Sequence, residues 1–457
     1  MPRAGIPGTK RPYGVVSSSR LSELEISGLP SPCLQAHFAF PGGSHFARVR
    51  RMSDPADATL PVRRRQVIYI PGYDPFPPRR YRELYRTEGA KQAAISGYQI
   101  AMKGDPKQGG TRWDVQTDIE GVQVETQMQV MIWSDIVQAS MDRGVAATYW
   151  LMVRTAWIYI RTGALRGLMR LRPGPMFAAL YPVAMLLVQL LAALTLAISV
   201  GTLLSWLVWP PLFWLAAVVV SVAVLQWFKR NDRRLYAYYL MHDYAFSADH
   251  NGALAPAMAP RLKEFGESIA AALTKDVDEV LVVGHSSGAD IAVMVFADLL
   301  RNGRLDADGP AVSLLTLGQA IPMTSFLPEA TQLRTDLHLM AAQDRVVWVD
   351  VSAPGDGASF ALCDPVSVSG VAPPNKRWPL VISAAFSQTL APETLAATRW
   401  RFFRRHAQYL CAFDNPGEYD YFRITAGPKT LAARFGHRKP SASRIETPLS
   451  PHTKMAS

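Results

Sequence analysis

A long run without charged residues constrains the fold of this chain more than any other part of its sequence. Residues 173–228 contain no Asp, Glu, Lys, Arg or His. A helix needs about 20 apolar residues to cross the hydrocarbon core of a bilayer, so the run is long enough for two spans and a turn. The spans are expected near 176–200 and 211–228, and Pro210 and Pro211 are expected to break the helix between the spans or just within one. The sequence predicts a transmembrane hairpin; a hairpin embedded without crossing, and a buried helical pair or apolar lid, are the alternatives.

Basic residues on both sides of the run indicate the orientation of the hairpin. The flanking residues are Arg161, Arg166, Arg170 and Arg172 before it, and Lys229, Arg230, Arg233 and Arg234 after it. Positively charged flanks tend to stay on the cytoplasmic side. Both ends of the hairpin, and the rest of the chain, are therefore expected on the cytoplasmic side of the inner membrane. Residues 1–27 hold no apolar segment of the kind found in secretory signal peptides, which agrees with this location.

The composition narrows the range of partners and cofactors. The formal net charge is +11, and the basic residues occur in short clusters rather than in a stripe interleaved with aromatic residues. This pattern disfavours nucleic-acid binding and favours attraction to an anionic membrane surface. The cysteines Cys33, Cys363 and Cys411 form no disulfide framework and have no metal-ligand spacing, and the nine histidines show no H-E-x-x-H pattern. No metal or cofactor is expected, and the oligomeric state stays open.

Short apolar segments alternate with helical segments over most of the chain. Strands are predicted at 66–70, 278–283, 311–317 and 345–351, with one or two more in 113–136, and helices at 79–102, 135–171, 231–246, 258–273, 289–300 and 401–413. The alternation predicts an α/β fold with a mainly parallel sheet flanked by helices. The hairpin at 173–228 divides this domain into 61–172 and 229–427. The terminal regions 1–60 and 428–457 are expected to be largely disordered, and the second of them to be a basic tail.

The pentapeptide Gly284-His285-Ser286-Ser287-Gly288 lies between a predicted strand and a predicted helix and matches the pattern G-x-S-x-G. A sharp strand-to-helix turn with a serine at its apex is called a nucleophile elbow. The turn forces an unusual backbone conformation on the serine and crowds its neighbours, which explains the glycine on either side. A glycine-rich turn that carries an incidental serine is the alternative.

The elbow, together with the strand at 66–70 and the loop Pro71-Gly72-Tyr73 that follows it, resembles the α/β-hydrolase superfamily on its lipase and esterase side. The resemblance covers residues 66–73 and 278–427. In the loop, Pro71-Gly72 stands where the family more often has His-Gly. The family implies an α/β-hydrolase sheet and a catalytic triad in the chain order serine, acid, histidine.

The resemblance implies a role for five residues. Ser286 is the expected nucleophile, and His406 is the expected base because it comes late in the chain; a surface histidine on a basic helix is the alternative for His406. The family's acid lies in the loop beyond a strand, which favours Asp356 and leaves Asp364 as a rival. The backbone N–H groups of Ser287 and Tyr73 are the expected oxyanion donors.

These expectations describe a membrane-anchored serine hydrolase that cleaves carboxylic esters through an acyl-enzyme. The hairpin precedes the nucleophile strand, where hydrolases often carry a cap, so lipid-like esters that enter from the bilayer are favoured over small soluble ones. An acyltransferase or thioesterase would use the same triad. A membrane scaffold that keeps the fold without the activity is a further alternative. The head group and the acyl chain length stay open.

Overall fold

A mixed sheet forms the centre of the domain in the computed structural model, which describes residues 60–104, 110–305, 308–399 and 401–456. Within these residues the sheet has eight strands: β1 (Arg64–Ile70), β2 (Gln99–Gly104), β3 (Arg112–Ile119), β4 (Val122–Val130), β5 (Glu279–His285), β6 (Ala311–Leu317), β7 (Val346–Ser352) and β8 (Leu380–Ser383). Their order is β2-β3-β4-β1-β5-β6-β7-β8. The strands from β4 to β8 in this order pair in parallel, and β2 and β3 add an antiparallel edge. The predicted α/β class and the mainly parallel pairing are confirmed.

Helices cover both faces of this sheet. They are α1 (Arg79–Ser96), α2 (Ser134–Met141), α3 (Val145–Arg161), α4 (Ala164–Leu171), α5 (Pro173–Leu207), α6 (Leu212–Arg230), α7 (Ala237–Ala248), α8 (Met258–Leu273), α9 (Gly288–Arg301), α10 (Ile321–Ser325), α11 (Thr331–Ala342), α12 (Pro365–Val368), α13 (Phe386–Thr389), α14 (Pro392–Thr398), α15 (Phe402–His406), α16 (Tyr421–Ala426) and α17 (Leu431–Phe435). Side chains of β5 alternate between two cores: Val280 and Val282 pack with α8, α9 and α11, and Leu281 and Val283 pack with α1 and α16.

Several predicted helices are wrong in extent; the one at 135–171, for example, is divided into α2, α3 and α4. The helix predicted at 79–102 ends at Ser96, because Gly97 adopts a left-handed conformation (φ 71°) and its N–H caps the carbonyl of Ala93. The chain then enters β2. The helix predicted at 401–413 is the short α15 followed by a 3₁₀ turn, Ala407–Leu410. The strand β8 was not predicted; it has four residues, too few to show a periodicity.

The charge-free run forms the antiparallel pair α5 and α6, and both helices are long and apolar enough to cross a membrane. Small side chains bring the two helices together: Ala193, Ala197 and Gly201 are buried on α5, and a Cβ at Gly201 would lie 3.0 Å from the ring of Phe213. The first helix continues to Leu207, beyond the expected end near residue 200. The turn therefore lies at residues 208–211, where the two prolines were expected to break the helix.

The C-terminal region is folded, so the prediction of a disordered tail at 428–457 is wrong for the described residues 428–456. The buried guanidinium of Arg65 donates to the carbonyls of Gly427 and Lys429, each at 2.7 Å. Leu431 and Phe435 are buried in the sheet core. Buried arginines of the domain hold the backbone of this C-terminal region. The composition of the region does not reveal these contacts. The predicted disorder of residues 1–60 lies outside the described residues, apart from residue 60.

Candidate active site

Ser286 lies at the tip of a strained turn between β5 and α9. Its φ is +58°, a left-handed conformation that a serine adopts only where the surrounding structure enforces it. The N–H of Ser286 donates to the carbonyl of Leu317 at the end of β6 (3.0 Å), which fixes the turn to the neighbouring strand. A Cβ at Gly288 would lie 2.3 Å from the carbonyl oxygen of Ile70, so only glycine fits there. The geometry is that of the expected elbow.

Asp356 and His406 form a buried pair next to this turn. Asp356 follows β7, and the Nδ1–H of His406 donates to its Oδ2 at 2.8 Å. The other oxygen, Oδ1, accepts the N–H of Ala358 at 2.9 Å. Burial raises the pKa of Asp356, but the charge and hydrogen bond of His406 outweigh this and hold the pKa below its usual value. Asp356 is therefore a carboxylate that can stabilise an imidazolium.

Burial lowers the pKa of His406, and the Asp356 carboxylate more than offsets it, so the pKa of His406 is raised overall. Because Nδ1 is bonded to Asp356, the second ring nitrogen, Nε2, is the one that can accept a proton. Nε2 is buried and has no hydrogen-bond partner among the described residues. A buried nitrogen without a partner is costly in a purely structural histidine, and it is expected in a general base that awaits a substrate.

The end of β6 brings the elbow and this pair together. Leu317 bonds the backbone of Ser286, and a Cβ on the next residue, Gly318, would lie 3.1 Å from Cε1 of His406 and 3.3 Å from Oδ2 of Asp356. Gly318 has a φ of +51°. The ring of His285, the residue before the serine, also stacks on His406, with centroids 4.7 Å apart. The three residues expected from the sequence as serine, acid and histidine thus lie around one strand end.

The rival acid, Asp364, lies elsewhere and has a structural role. Its Oδ1 accepts the N–H groups of Val366 and Ser367, each at 3.0 Å, and so caps α12. Its carboxylate also pairs with the ammonium group of Lys376. The structure therefore brings Asp356, and not Asp364, to His406.

The two expected oxyanion donors lie side by side. The loop after β1 approaches the elbow so closely that a Cβ at Gly72 would lie 2.8 Å from the Cβ of Ser286. Ser287 is the N-cap residue of α9. However, the N–H of Tyr73 donates to the side-chain Oγ of Ser287 at 2.9 Å, so this donor is occupied in the structure. The backbone arrangement fits an oxyanion hole in which one donor is covered by a neighbouring hydroxyl.

Several residues at the site were not predicted in a functional role. Tyr409 is fully buried; its hydroxyl donates to Oδ2 of Asp356 and accepts the N–H of Ala353, both at 3.0 Å. Burial raises the pKa of Asp290, one turn into α9, to about 7. Burial likewise raises the pKa of Asp243 to about 7; His406 lowers it and Asp290 raises it further. No sequence motif pointed to Asp243.

An aromatic wall links the hairpin to the elbow. The helix α7 starts seven residues after α6 ends. The hydroxyl of Tyr239 on α7 donates to the carbonyl of Tyr73. Phe246, also on α7, packs on the ring of Tyr73 with centroids 5.5 Å apart, and Phe403 packs on Tyr239 at 5.4 Å. The loop after β1 is thus held by the helix that directly follows the apolar pair.

Comparison with known proteins gives no further support to an assignment. No protein-family model, no curated protein and no solved structure matches the chain. Among the described residues, no group of three or more His, Cys, Asp or Glu side chains could hold a metal ion.

Proposed function

We propose that this chain is a membrane-anchored serine hydrolase of the α/β-hydrolase type that cleaves carboxylic esters. The observation that carries the proposal is the buried His406–Asp356 pair, whose Nε2 has no partner in the described part of the chain, beside a serine at φ +58°. A nucleophile, a base and an orienting carboxylate in this arrangement are the parts that acyl transfer to serine requires.

The reaction would begin when His406 Nε2 takes the hydroxyl proton of Ser286 as Oγ attacks the ester carbonyl. Asp356 keeps Nδ1 protonated and stabilises the imidazolium that forms. The backbone N–H groups of Ser287 and Tyr73 would bind the oxyanion of the tetrahedral intermediate, the second after the hydroxyl of Ser287 has turned away. The imidazolium then protonates the leaving alcohol, and water releases the acid from the acyl-enzyme by the same sequence of proton transfers.

The position of the apolar pair supports a lipid-like substrate. The helices α5 and α6 lie between β4 and β5 in the chain, and α7 connects them directly to the oxyanion loop through Tyr239. The wall beside the elbow is aromatic, with Tyr73, Phe246 and Phe403 among its members. An acyl chain that enters from the bilayer meets an apolar surface there and does not need to cross water.

A fluorophosphonate probe tests the triad, because it reacts with a serine only when a base activates that serine. The probe is applied to detergent-solubilised wild type, to Ser286→Ala and to His406→Ala. His250→Ala is the matched control, because His250 is exposed. We expect labelling of the wild type and the control, and its loss in both triad variants. An unlabelled but folded wild type contradicts the proposal and favours a scaffold without activity.

The substrate class is tested separately in mixed micelles. Long-chain acylglycerols or phospholipids are compared with short soluble esters at equal concentration, and kcat/KM is measured for each. We expect the long-chain substrates to be cleaved faster. A strong preference for short soluble esters contradicts the lipid part and leaves the triad unaffected. The same assay with an acceptor alcohol separates hydrolysis from acyl transfer by the product that forms.

A further inference from the structure

One face of α3 exposes a row of large apolar side chains. Trp150, Val153, Trp157 and Ile160 are 69%, 54%, 60% and 59% exposed, and their spacing of three and four residues places them along one side of the helix. We call these four residues the apolar stripe. The opposite side is buried; Leu151 and Met152, for example, pack against α5 and α7. A continuous row of large, exposed apolar side chains on a folded domain marks a place where another molecule binds.

The apolar stripe adjoins the pair α5 and α6. The ammonium group of Lys229, at the end of α6, donates to the carbonyl of Arg143 just before α3. One turn into α3, the hydroxyl of Tyr149 donates to the carbonyl of Leu186 on α5 at 2.8 Å. The first third of α5 also exposes apolar residues, among them Phe177 and Leu180. The exposed apolar surface of the pair therefore continues onto the domain.

The chain around the apolar stripe is mainly basic, and Asp249, which lies against α3, is paired with Arg143 and Arg154. No Asp or Glu lies between Asp142 and Asp232 in the sequence. Arg161, Arg166 and Arg170 follow the stripe closely in the chain and are exposed. Such an arrangement of arginines beside tryptophans suits the head-group layer of a membrane, where anionic lipids attract the arginines and the indole rings sit at the boundary with the acyl chains.

The length of α5 agrees with this position of the stripe. With 35 residues, α5 is about 52 Å long, against a hydrocarbon core of about 30 Å. Its first part packs on the domain through Met176 and Leu186, so the length in excess of the core lies beside α3. This places the stripe at the level of the head groups.

We propose that α3 is an interfacial helix whose apolar stripe lies in the head-group layer of an anionic bilayer. The contact holds the domain against the membrane instead of leaving it suspended from two helices. This inference rests on the proposed insertion of α5 and α6, and it goes beyond the proposed chemistry because it needs no reactive serine. A second copy of the chain on the same stripe is the competing occupant.

Spin labels measure directly what surrounds each position. Trp150, Val153, Trp157 and Ile160 are each changed to cysteine in the full chain, in a background with Cys33→Ser and Cys411→Ser; Cys363 is fully buried and is kept. Val219 on α6, 57% exposed, serves as the lipid reference, and Glu267 on α8 as the water reference. The labelled proteins are reconstituted in vesicles of phosphatidylcholine and phosphatidylglycerol, and relaxation by oxygen and by a water-soluble nickel chelate is compared.

We expect the four stripe labels to be relaxed more by oxygen than by the nickel chelate, as at Val219, and the label at Glu267 to show the reverse. Stripe labels as open to the nickel chelate as Glu267 overturn the inference while Val219 still reports insertion. Labels shielded from both reagents, with dipolar broadening that grows with the protein-to-lipid ratio, overturn it in favour of a second copy. A water-exposed Val219 refutes the insertion itself. The same labels are also read in Ser286→Ala, so the outcome of this test does not depend on the catalytic proposal.

Discussion

The imidazole of His285 lies stacked on that of His406, with ring centroids 4.7 Å apart and the planes inclined by 24°. Its Nε2 lies 3.2 Å from the backbone carbonyl of His406, and its Nδ1 lies 3.2 Å from the hydroxyl of Tyr69. Burial, and then the nearby His406, lowers the pKa of His285 to about 3. His285 is therefore a neutral platform that does not repel an imidazolium on His406.

This arrangement predicts that the ionisation of His406 governs the rate of fluorophosphonate labelling. The neutral form of His406 is the base, and Asp356 raises its pKa, so the rate rises with pH through a midpoint above the usual histidine value of about 6.5. In Asp356→Asn the carboxylate is lost and the effect of burial remains. We expect the midpoint to move to lower pH and the plateau to fall on the order of 10⁴-fold.

Asp364→Asn is the matched control for this experiment, because Asp364 bonds α12 and Lys376 rather than His406. We expect its midpoint to equal that of the wild type. A shifted midpoint in Asp364→Asn together with an unchanged one in Asp356→Asn would show that Asp364, and not Asp356, is the acid.

The hydroxyl of Ser287 is expected to restrain the oxyanion hole. It accepts the N–H of Tyr73, and that hydrogen bond must break before the N–H can bind an oxyanion. A net hydrogen bond contributes about 1 kcal/mol, so we expect Ser287→Ala to speed labelling by roughly fivefold. Ser287→Thr keeps the hydroxyl and is expected to keep the rate. Slower labelling of Ser287→Ala would show instead that the hydroxyl itself serves the reaction.

Substitution of the second elbow glycine tests the close contact between β1 and α9. In Gly288→Ala the new methyl group would lie 2.3 Å from the carbonyl oxygen of Ile70, so the chain must shift. We expect a loss of about 3 kcal/mol or more in the free energy of unfolding. Gly144→Ala is the control, since Gly144 has a φ of −65° and no atom lies within 4 Å of its Cβ position. Thermal unfolding in detergent measures both, and equal melting temperatures would refute the contact.

A buried amide in α5 is expected to destabilise the pair of apolar helices. Gln189 is 1% exposed, and neither its Nε2 nor its Oε1 has a hydrogen-bond partner in the part of the chain that the structure describes. Removing an unpartnered buried polar group is favourable, so we expect Gln189→Leu to raise the free energy of unfolding in detergent by about 1–2 kcal/mol. Gln226→Leu on α6, at a partly exposed position, is expected to change little. Destabilisation by Gln189→Leu would reveal a partner for the amide.

The features that the sequence predicted are those that restrict which residue types can occur at particular positions. The elbow needs glycine where β1 presses on α9, and Gly288 shows this need in the sequence. The apolar pair shows itself because no charged residue interrupts residues 173–228, a length sufficient for two spans. The pairing of His406 with Asp356 matches the family order, although that order alone did not exclude Asp364.

Other features depend on packing that leaves no mark in a local pattern. Asp243 reaches the candidate site because α7 follows the apolar pair and turns back to the loop after β1. Its neighbours in the sequence carry no motif. The C-terminal region looked unpacked because it is basic and rich in Pro, Ser and Thr. It is held through its main-chain carbonyls, for example by Arg65 at Lys429 and by Arg334 at Lys454, and such bonds do not depend on the side chains they fix.

The position of β1 in the sheet has a consequence for how the protein is made. One edge of β1 pairs with β4, which leaves the ribosome soon after it, but the other edge pairs with β5, which is synthesised only after α5 and α6. If the apolar helices enter the bilayer during translation, half of the sheet waits at the membrane surface with an open edge until the second half emerges. Chaperones or the lipid surface itself must then cover the open edge of β1 in the nascent chain. The turn at Ser286 cannot form against β1 until the two apolar helices have been inserted and β5 has been synthesised.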